Sequence, residues 1–123
     1  MASVIIVSGD SKGEFLPLGR RTSVIGRAES LPMQILDDLV SRKHLRIKFV
    51  EETNRYCVED LKSKHGTFVN KHKISDATEL AEGDEILLGE TRLLFTEKDF
   101  DTQASALMHY NKYGEQARVT HME

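Results

Sequence analysis

Three polar segments of this chain carry residues that could hold an anion. They are Gly26-Arg27, Ser41-Arg42-Lys43-His44 and the stretch DLKSKHGTFVN from Asp60 to Asn70. Each segment offers cations or short hydrogen-bonding side chains, and charge-assisted hydrogen bonds to phosphate or carboxylate oxygens are among the stronger ones in proteins. The segments are flanked by apolar runs that are typical of β-strands. We therefore predict an anion-binding site built from loops.

Catalytic and metal-binding arrangements can be drawn from the same residues. Ser41, His44 and Asp60 would form a Ser-His-Asp set, while His44, His65 and His72 would form a metal site. Neither set is accompanied by a nucleophile elbow or by a helix-borne histidine pair. The sequence accordingly favours a protein with no catalytic residues, no metal and no other cofactor.

Composition and charge narrow the class of partner. The chain has 123 residues, of which 39% are hydrophobic and 30% are charged, as is typical of a single globular domain. Its net charge of −3 argues against nucleic-acid binding, which needs a strongly basic face. A local basic pocket remains compatible with that charge. Nine of the 17 lysines and arginines fall in four short segments close to the polar loops: Arg20, Arg21, Arg27, Arg42, Lys43, Lys62, Lys64, Lys71 and Lys73.

The expected compartment follows from three features of the sequence. The longest apolar run, Val4–Val7, is far shorter than the ~20 residues that a membrane-spanning helix needs. The first residues do not form a secretory signal pattern. The single cysteine, Cys57, has no partner for a disulfide within the chain. We expect a cytoplasmic protein that makes no membrane contact.

Apolar spacing predicts β-strands through most of the chain. Residues 44–50 show it most clearly, since Leu45 and Ile47 alternate with Arg46 and Lys48. Further short runs occur at residues 3–7, 14–18, 22–25, 56–59, 67–70, 73–74, 85–88 and 92–96. Ten or so short strands with frequent turns predict an all-β sandwich. In such a fold, loops from distant parts of the sequence meet at one end.

The C-terminal piece, residues 99–123, has a different pattern. Ala104, Leu107 and Tyr110 recur at roughly helical spacing, and the piece has no β-branched run. We predict one domain over residues 1–98, followed by a short helix or a flexible tail.

The order and spacing of the short motifs resemble those of the forkhead-associated (FHA) domain family. The resemblance covers Val4 to Thr96 and rests on Gly26-Arg27, Ser41-x-x-His44, Gly66-Thr67 with Asn70, and Leu80-x-x-Gly83-Asp84-x-Ile86-x-x-Gly89. FHA domains are eleven-stranded β-sandwiches that bind phosphothreonine peptides through loops at one end. The resemblance implies a non-catalytic interaction module that recruits phosphothreonine-containing proteins, such as substrates of Ser/Thr kinases. It leaves the oligomeric state open.

The resemblance and the chemistry of phosphate together indicate the ligand-contacting residues. A phosphothreonine carries close to two negative charges and three acceptor oxygens. Arg27 would supply a guanidinium, Ser41 a hydroxyl donor and Arg42 a second positive charge. Gly66 and Thr67 would form the tight turn that brings the third loop to the peptide.

Three further residues are expected to support the loops. Gly26 would let the backbone turn out of its strand, because glycine tolerates unusual backbone angles. His44 would begin a strand and brace the loops. Asn70 would hold the binding loops in place through amide hydrogen bonds to backbone.

One position departs from the family pattern. The family usually has Asn before the Gly-Thr pair, where its amide grips the peptide backbone, and this chain has His65. An asparagine amide can donate and accept hydrogen bonds side by side in one plane, and an imidazole cannot replace that pair. Lys64 adds a further cation beside it. Two interpretations follow: phosphate binding with an altered peptide grip, or a phosphate-independent scaffold that keeps the fold.

Overall fold

A computed structural model describes residues 2–98 of the chain, and the regular secondary structure of this part consists of β-strands. It contains no helix, and hence none that is long and apolar enough to cross a membrane. The strands are β1 (Ser3–Ile6), β2 (Phe15–Pro17), β3 (Thr22–Gly26), β4 (Met33–Gln34), β5 (Leu45–Val50), β6 (Arg55–Asp60), β7 (Thr67–Val69), β8 (His72–Lys73), β9 (Thr78–Leu80), β10 (Glu85–Leu88) and β11 (Thr91–Thr96). The predicted C-terminal helix or tail lies outside the described residues.

The strands form two sheets with a shared core. One sheet has the order β2-β1-β11-β10-β7-β8 and the other β4-β3-β5-β6-β9. Neighbouring strands are antiparallel except for β3 and β4, which are parallel. Ile25 and Ile47 from one sheet and Val4, Ile86 and Phe95 from the other belong to one buried hydrophobic cluster. Removing this apolar surface from water is the main force that holds the two sheets together. The prediction of an all-β sandwich is confirmed.

Strand boundaries differ from the predicted ones where strands are very short. The strands β4 and β9 were not predicted, because two or three residues show too little alternation to be distinguished from a loop. Strand β5 begins at Leu45, so His44, predicted to begin it, lies just before the strand. Strand β8 is His72–Lys73, one residue earlier than the predicted pair 73–74.

The register of the sheets collects several loops at one end of the molecule. Leu45 pairs with both Ile25 and Asp60, so β3 and β6 end where β5 begins. In the other sheet Thr67 pairs with Leu88, which places the start of β7 beside the β10–β11 turn. The loops β3–β4, β4–β5, β6–β7 and β10–β11 therefore share one end of the sandwich, hereafter the loop end.

Candidate functional site

Gly26 is required by a close approach between two loops. The amides of Arg27 and Ala28 donate to the carbonyl oxygens of Ser41 and Arg42 at 3.0 and 3.1 Å. A Cβ atom on Gly26 would lie 2.3 Å from the Arg42 carbonyl oxygen, which is far inside a van der Waals contact. The predicted role of Gly26 in supporting the loops agrees with this packing, but the reason is different. The absent side chain makes room for the neighbouring loop, and the residue is not in the left-handed region.

Arg27 is exposed at the loop end with its side chain fixed at one point. Its Nε donates to the carbonyl oxygen of Val40 at 3.0 Å. Within residues 2–98 its guanidinium forms no salt bridge, which leaves the two terminal nitrogens for a ligand. Arg42 is also exposed, and both arginines line the same open depression together with Ala28 and Glu29. Two guanidinium groups at one depression provide an attractive environment for a dianion.

Ser41 joins the second polar loop to the third. Its Oγ accepts a hydrogen bond from the amide of Lys64 at 3.1 Å. A hydroxyl that accepts in this way still has its own hydrogen to donate, and no acceptor for it is found among residues 2–98. Ser41 is therefore oriented by Lys64 while its donor remains available.

His44 is completely buried and uses both ring nitrogens. The amide of Ser41 donates to Nδ1 at 3.0 Å, so the ring hydrogen resides on Nε2, which donates to the carbonyl oxygen of Gly66 at 2.8 Å. The ring thus braces the loops, in the role that the sequence predicted. The same geometry disfavours the Ser-His-Asp interpretation, because Ser41 contacts the imidazole through its backbone N–H and not through its hydroxyl.

The other two histidines of the imagined metal set are exposed. His65 lies in the β6–β7 loop and His72 in β8, whereas the ring of His44 is occupied by backbone groups on both sides. No group of three metal-ligating side chains is found in the part of the chain that the structure describes.

Asp60 organises the third loop, and its role there was not predicted. Its carboxylate accepts hydrogen bonds from the amide of Ser63 at 3.0 Å, from the Ser63 hydroxyl, and from the Thr67 hydroxyl at 2.7 Å. The Ser63 hydroxyl oxygen in turn accepts the amide of Gly66 at 2.9 Å. Partial burial raises the pKa of Asp60, but these hydrogen bonds outweigh it, so the pKa lies below its ordinary value. The Asp-x-x-Ser spacing was the available signal, since such pairs often form Asx-type turns.

Gly66 and Thr67 were predicted to contact the phosphopeptide, and the structure gives their side chains and backbone other roles. Thr67 is completely buried and its hydroxyl is held by Asp60. Both backbone groups of Gly66 are also engaged, the amide with Ser63 and the carbonyl with His44. With a φ of 86°, Gly66 occupies a region that other residues avoid. Both residues shape the loop from beneath.

Lys64 and His65 are the exposed residues at the tip of the same loop. The amide of Lys64 is tied to Ser41, as described above, and neither side chain forms a salt bridge within residues 2–98. They flank the edge of the loop end next to Ser41. Their cationic or polar groups are therefore positioned for contact with a bound anion or peptide.

Asn70 supports a different part of the molecule from the one predicted. Its Nδ2 donates to Asp84 at 2.9 Å and its Oδ1 accepts the amide of Glu85 at 3.0 Å. These bonds lie at the far end of β7, because Val69 pairs with Ile86 whereas Thr67 pairs with Leu88. Asn70 therefore joins the β7–β8 turn to the β9–β10 turn and does not hold the binding loops.

Asp37 fixes the β4–β5 loop to the first sheet, and it too was not predicted. Its carboxylate accepts the amides of Leu39 and Glu90 at 2.9 and 2.8 Å, and the Thr91 hydroxyl at 2.8 Å. Burial raises the pKa of Asp37, but the three hydrogen bonds prevail and lower it. The loop that presents Ser41 is thereby held between two sheets.

The structure brings five of the predicted residues to one end of the sandwich: the exposed Arg27, Arg42, Lys64 and His65 and the half-buried Ser41. The remaining predicted site residues lie beneath this surface, apart from Asn70, which lies at the opposite end. The surface is rich in cations, and the protein atoms that fix it are mainly backbone groups. Such an arrangement can bind an anionic group without rearrangement.

Comparison with known proteins identifies the family. The family model for the FHA domain matches residues 23–89, and the chain belongs to this family. FhaB of Mycolicibacterium smegmatis is 28% identical over 88 residues, covering 72% of this chain and 56% of that protein. The glycogen accumulation regulator GarA of Mycobacterium tuberculosis is 32% identical over 94 residues, covering 76% of this chain and 56% of that protein. The chain therefore spans about half the length of the curated relatives it matches.

A solved structure gives the same result. An FHA domain from a structural and functional study of phosphothreonine-dependent interactions superposes with a TM-score of 0.70 and 26% identity, over 80% of this chain and 98% of that one. The resemblance inferred from the short motifs is confirmed.

Proposed function

We propose that this chain is a phosphothreonine-dependent, non-catalytic interaction module that recruits phosphorylated partner proteins. The observation that carries the proposal is the position at the loop end of the exposed Arg27 and the half-buried Ser41, each with hydrogen-bond donors that the protein does not use. The guanidinium is anchored through Nε alone, and the hydroxyl is oriented by Lys64 with its hydrogen available. Both groups can then donate to the oxygens of one phosphate.

The choice of phosphate over a simple carboxylate rests on charge. A phosphothreonine brings nearly two charges, and Arg27, Arg42 and Lys64 surround its expected position with three exposed cations. The similar solved FHA domain came from work on phosphothreonine-dependent interactions, which supports the same ligand here. Several charge-assisted hydrogen bonds of ~1.5–3 kcal/mol each, offset by ordering the peptide, are compatible with roughly micromolar affinity.

We place this activity in the cytoplasm, with kinase-phosphorylated proteins as partners. The chain's one cysteine, Cys57, is a free thiol, which suits a reducing compartment.

The test is a calorimetric titration against three peptides of identical sequence, with phosphothreonine, phosphoserine or unmodified threonine at the central position. We expect binding of the phosphothreonine peptide, weaker binding of phosphoserine and none of the unmodified peptide. Arg27→Ala and Ser41→Ala should each weaken binding at least tenfold, while Arg55→Ala, at the opposite end of the sandwich, should leave it unchanged. Equal affinity for all three peptides would contradict the proposal and favour a phosphate-independent scaffold.

A further inference from the structure

Lys73 lies beside the candidate site, although it belongs to a strand outside the polar loops. Strand β8 pairs with β7 so that Lys73 is opposite Phe68. From there its side chain extends over Gly66. A Cβ atom on Gly66 would lie 2.7 Å from Cε of Lys73 and 3.5 Å from Nζ. The ammonium group therefore reaches the tip of the β6–β7 loop.

The ammonium group of Lys73 is available to a ligand. Lys73 is exposed, and within residues 2–98 no carboxylate lies within salt-bridge distance of Nζ. The nearest acidic residue of the adjoining loop, Asp60, is occupied by Ser63 and Thr67. A lysine held over a glycine, without an acidic partner, adds an unneutralised charge at the rim of the site.

Most of the ionisable residues close to Lys73 in the adjoining loop and hairpin are basic, and the acidic ones are Asp60, which is already engaged, and Asp76, which follows three residues later. Lys64 and His65 lie on the loop beneath it, and Lys71 and His72 precede it in the β7–β8 hairpin. All four are exposed. In a chain of net charge −3, this local excess of cations produces a field that favours acidic groups.

We propose that Lys73 selects an acidic residue of the bound peptide on the side where the peptide passes over the β6–β7 loop. This inference rests on the proposed function. The amide of Ser41 and the carbonyl oxygen of Gly66 are bonded to opposite sides of the ring of His44. Because Lys73 extends over Gly66, it lies near the phosphate position expected beside Ser41. An extended peptide advances ~3.4 Å per residue, so the selected side chain belongs to a residue that flanks the phosphothreonine closely.

The test is a set of phosphothreonine peptides in which one glutamate is moved through each flanking position, with glutamine at the same position as the neutral control. Affinities are measured for the unmodified protein and for Lys73→Met, which keeps an unbranched apolar stem and removes the charge. Two variants serve as controls. Lys73→Arg retains the positive charge at the same position. Lys48→Met removes a lysine from β5 of the other sheet, away from the loop end.

We expect one flanking position at which glutamate binds about two- to fivefold more tightly than glutamine, within the range of exposed ion pairs. Lys73→Met should abolish this difference, whereas Lys73→Arg and Lys48→Met should retain it. The difference should also diminish at 0.5 M salt. A glutamate preference that survives Lys73→Met, or no preference at any position, would overturn the inference while leaving phosphothreonine dependence intact. Loss of phosphothreonine dependence itself would overturn the proposed function and this inference with it.

Discussion

The buried imidazole of His44 donates a hydrogen bond from Nε2 to the carbonyl oxygen of Gly66 at 2.8 Å. Its other nitrogen accepts the amide of Ser41 at 3.0 Å. One side chain therefore connects the loop that offers the hydroxyl to the loop that carries Lys64 and His65. Together with the hydrogen bond from Lys64 to Ser41, this ring fixes the relative position of the two loops.

Replacing His44 by alanine should reduce both stability and affinity. The substitution leaves a cavity and removes the ring partner of two backbone groups, so we expect a loss of ~2–4 kcal/mol in the free energy of unfolding. Affinity for the phosphothreonine peptide should fall as well, because the loops lose their common brace. Denaturant unfolding and calorimetry measure the two quantities.

Asn70→Ala is the matched control for His44→Ala. It also breaks hydrogen bonds between two turns, but at the end of the sandwich away from the site. It should lower the free energy of unfolding without altering affinity at a temperature where the protein is folded. If both substitutions reduced affinity equally, the bracing role assigned to His44 would be wrong.

Gly26→Ala tests whether the close approach of the two loops is needed. The added methyl would lie 2.3 Å from the carbonyl oxygen of Arg42, so the loop must move. We expect ~1–3 kcal/mol of destabilisation together with loss of peptide binding. Thermal unfolding and a peptide titration would check both effects.

Gly9 provides the comparison for Gly26. It has a φ of 72°, and a Cβ atom there would meet no atom within 4 Å, so Gly9→Ala costs backbone strain without a clash. It should destabilise the protein modestly and leave binding unaffected. Normal peptide binding by Gly26→Ala would show that the site tolerates displacement of the Ser41 loop.

Asp60→Asn should change how stability depends on pH. The pKa of Asp60 is lowered in the folded protein, below the ~3.9 expected for an unfolded chain. Its contribution is therefore fully present above the unfolded pKa and is lost as the pH falls through the folded pKa. At pH 7 the variant should be less stable by ~1–3 kcal/mol, because an amide cannot replace all three charge-assisted bonds.

Urea unfolding at several pH values between 7 and 3 measures this effect. The unmodified protein should lose stability below about pH 4, and Asp60→Asn should lose less over the same interval. Some acid sensitivity should persist in the variant, since the pKa of Asp37 is also lowered. If the free energy of unfolding fell equally steeply with pH in both proteins, the ionised form of Asp60 would not be what stabilises the fold.

His65→Asn tests the one departure from the family pattern. An amide can donate and accept through one plane, so the substitution should strengthen binding of the phosphothreonine peptide, by about three- to tenfold if one net hydrogen bond is gained. His72→Asn, on β8, should have no effect. Weaker binding by His65→Asn in calorimetry would indicate that the imidazole itself contacts the peptide.

The clearest successes of sequence reasoning came from regular patterns. The alternation over residues 44–50 predicted a strand with one buried face, and Leu45 and Ile47 are completely buried while Lys48 is exposed. The order of the short motifs predicted the family. Both signals are long enough, or numerous enough, to stand out from chance.

Expectation and structure differ where a residue's role depends on the direction in which its side chain points. Thr67 lies within a polar turn motif, but the start of β7 points its hydroxyl inward to Asp60. Asn70 follows Thr67 by only three residues, but β7 lies between them and carries the chain to the other end of the sandwich. Asp60 was considered only as part of a Ser-His-Asp set, although its spacing to Ser63 signalled a turn; its bond to Thr67 becomes evident only once the loop is closed. Lys73 reaches the site through a strand pairing that apolar spacing does not reveal.

The most direct test of the central claim is amide chemical-shift mapping of the isotopically labelled protein titrated with a phosphothreonine peptide and with its unphosphorylated equivalent. We expect large shifts at Arg27, Ser41, Lys64 and His65 with the phosphorylated peptide alone. Shifts centred on Asn70 and Glu85, or identical shifts with both peptides, would contradict a phosphate site at the loop end.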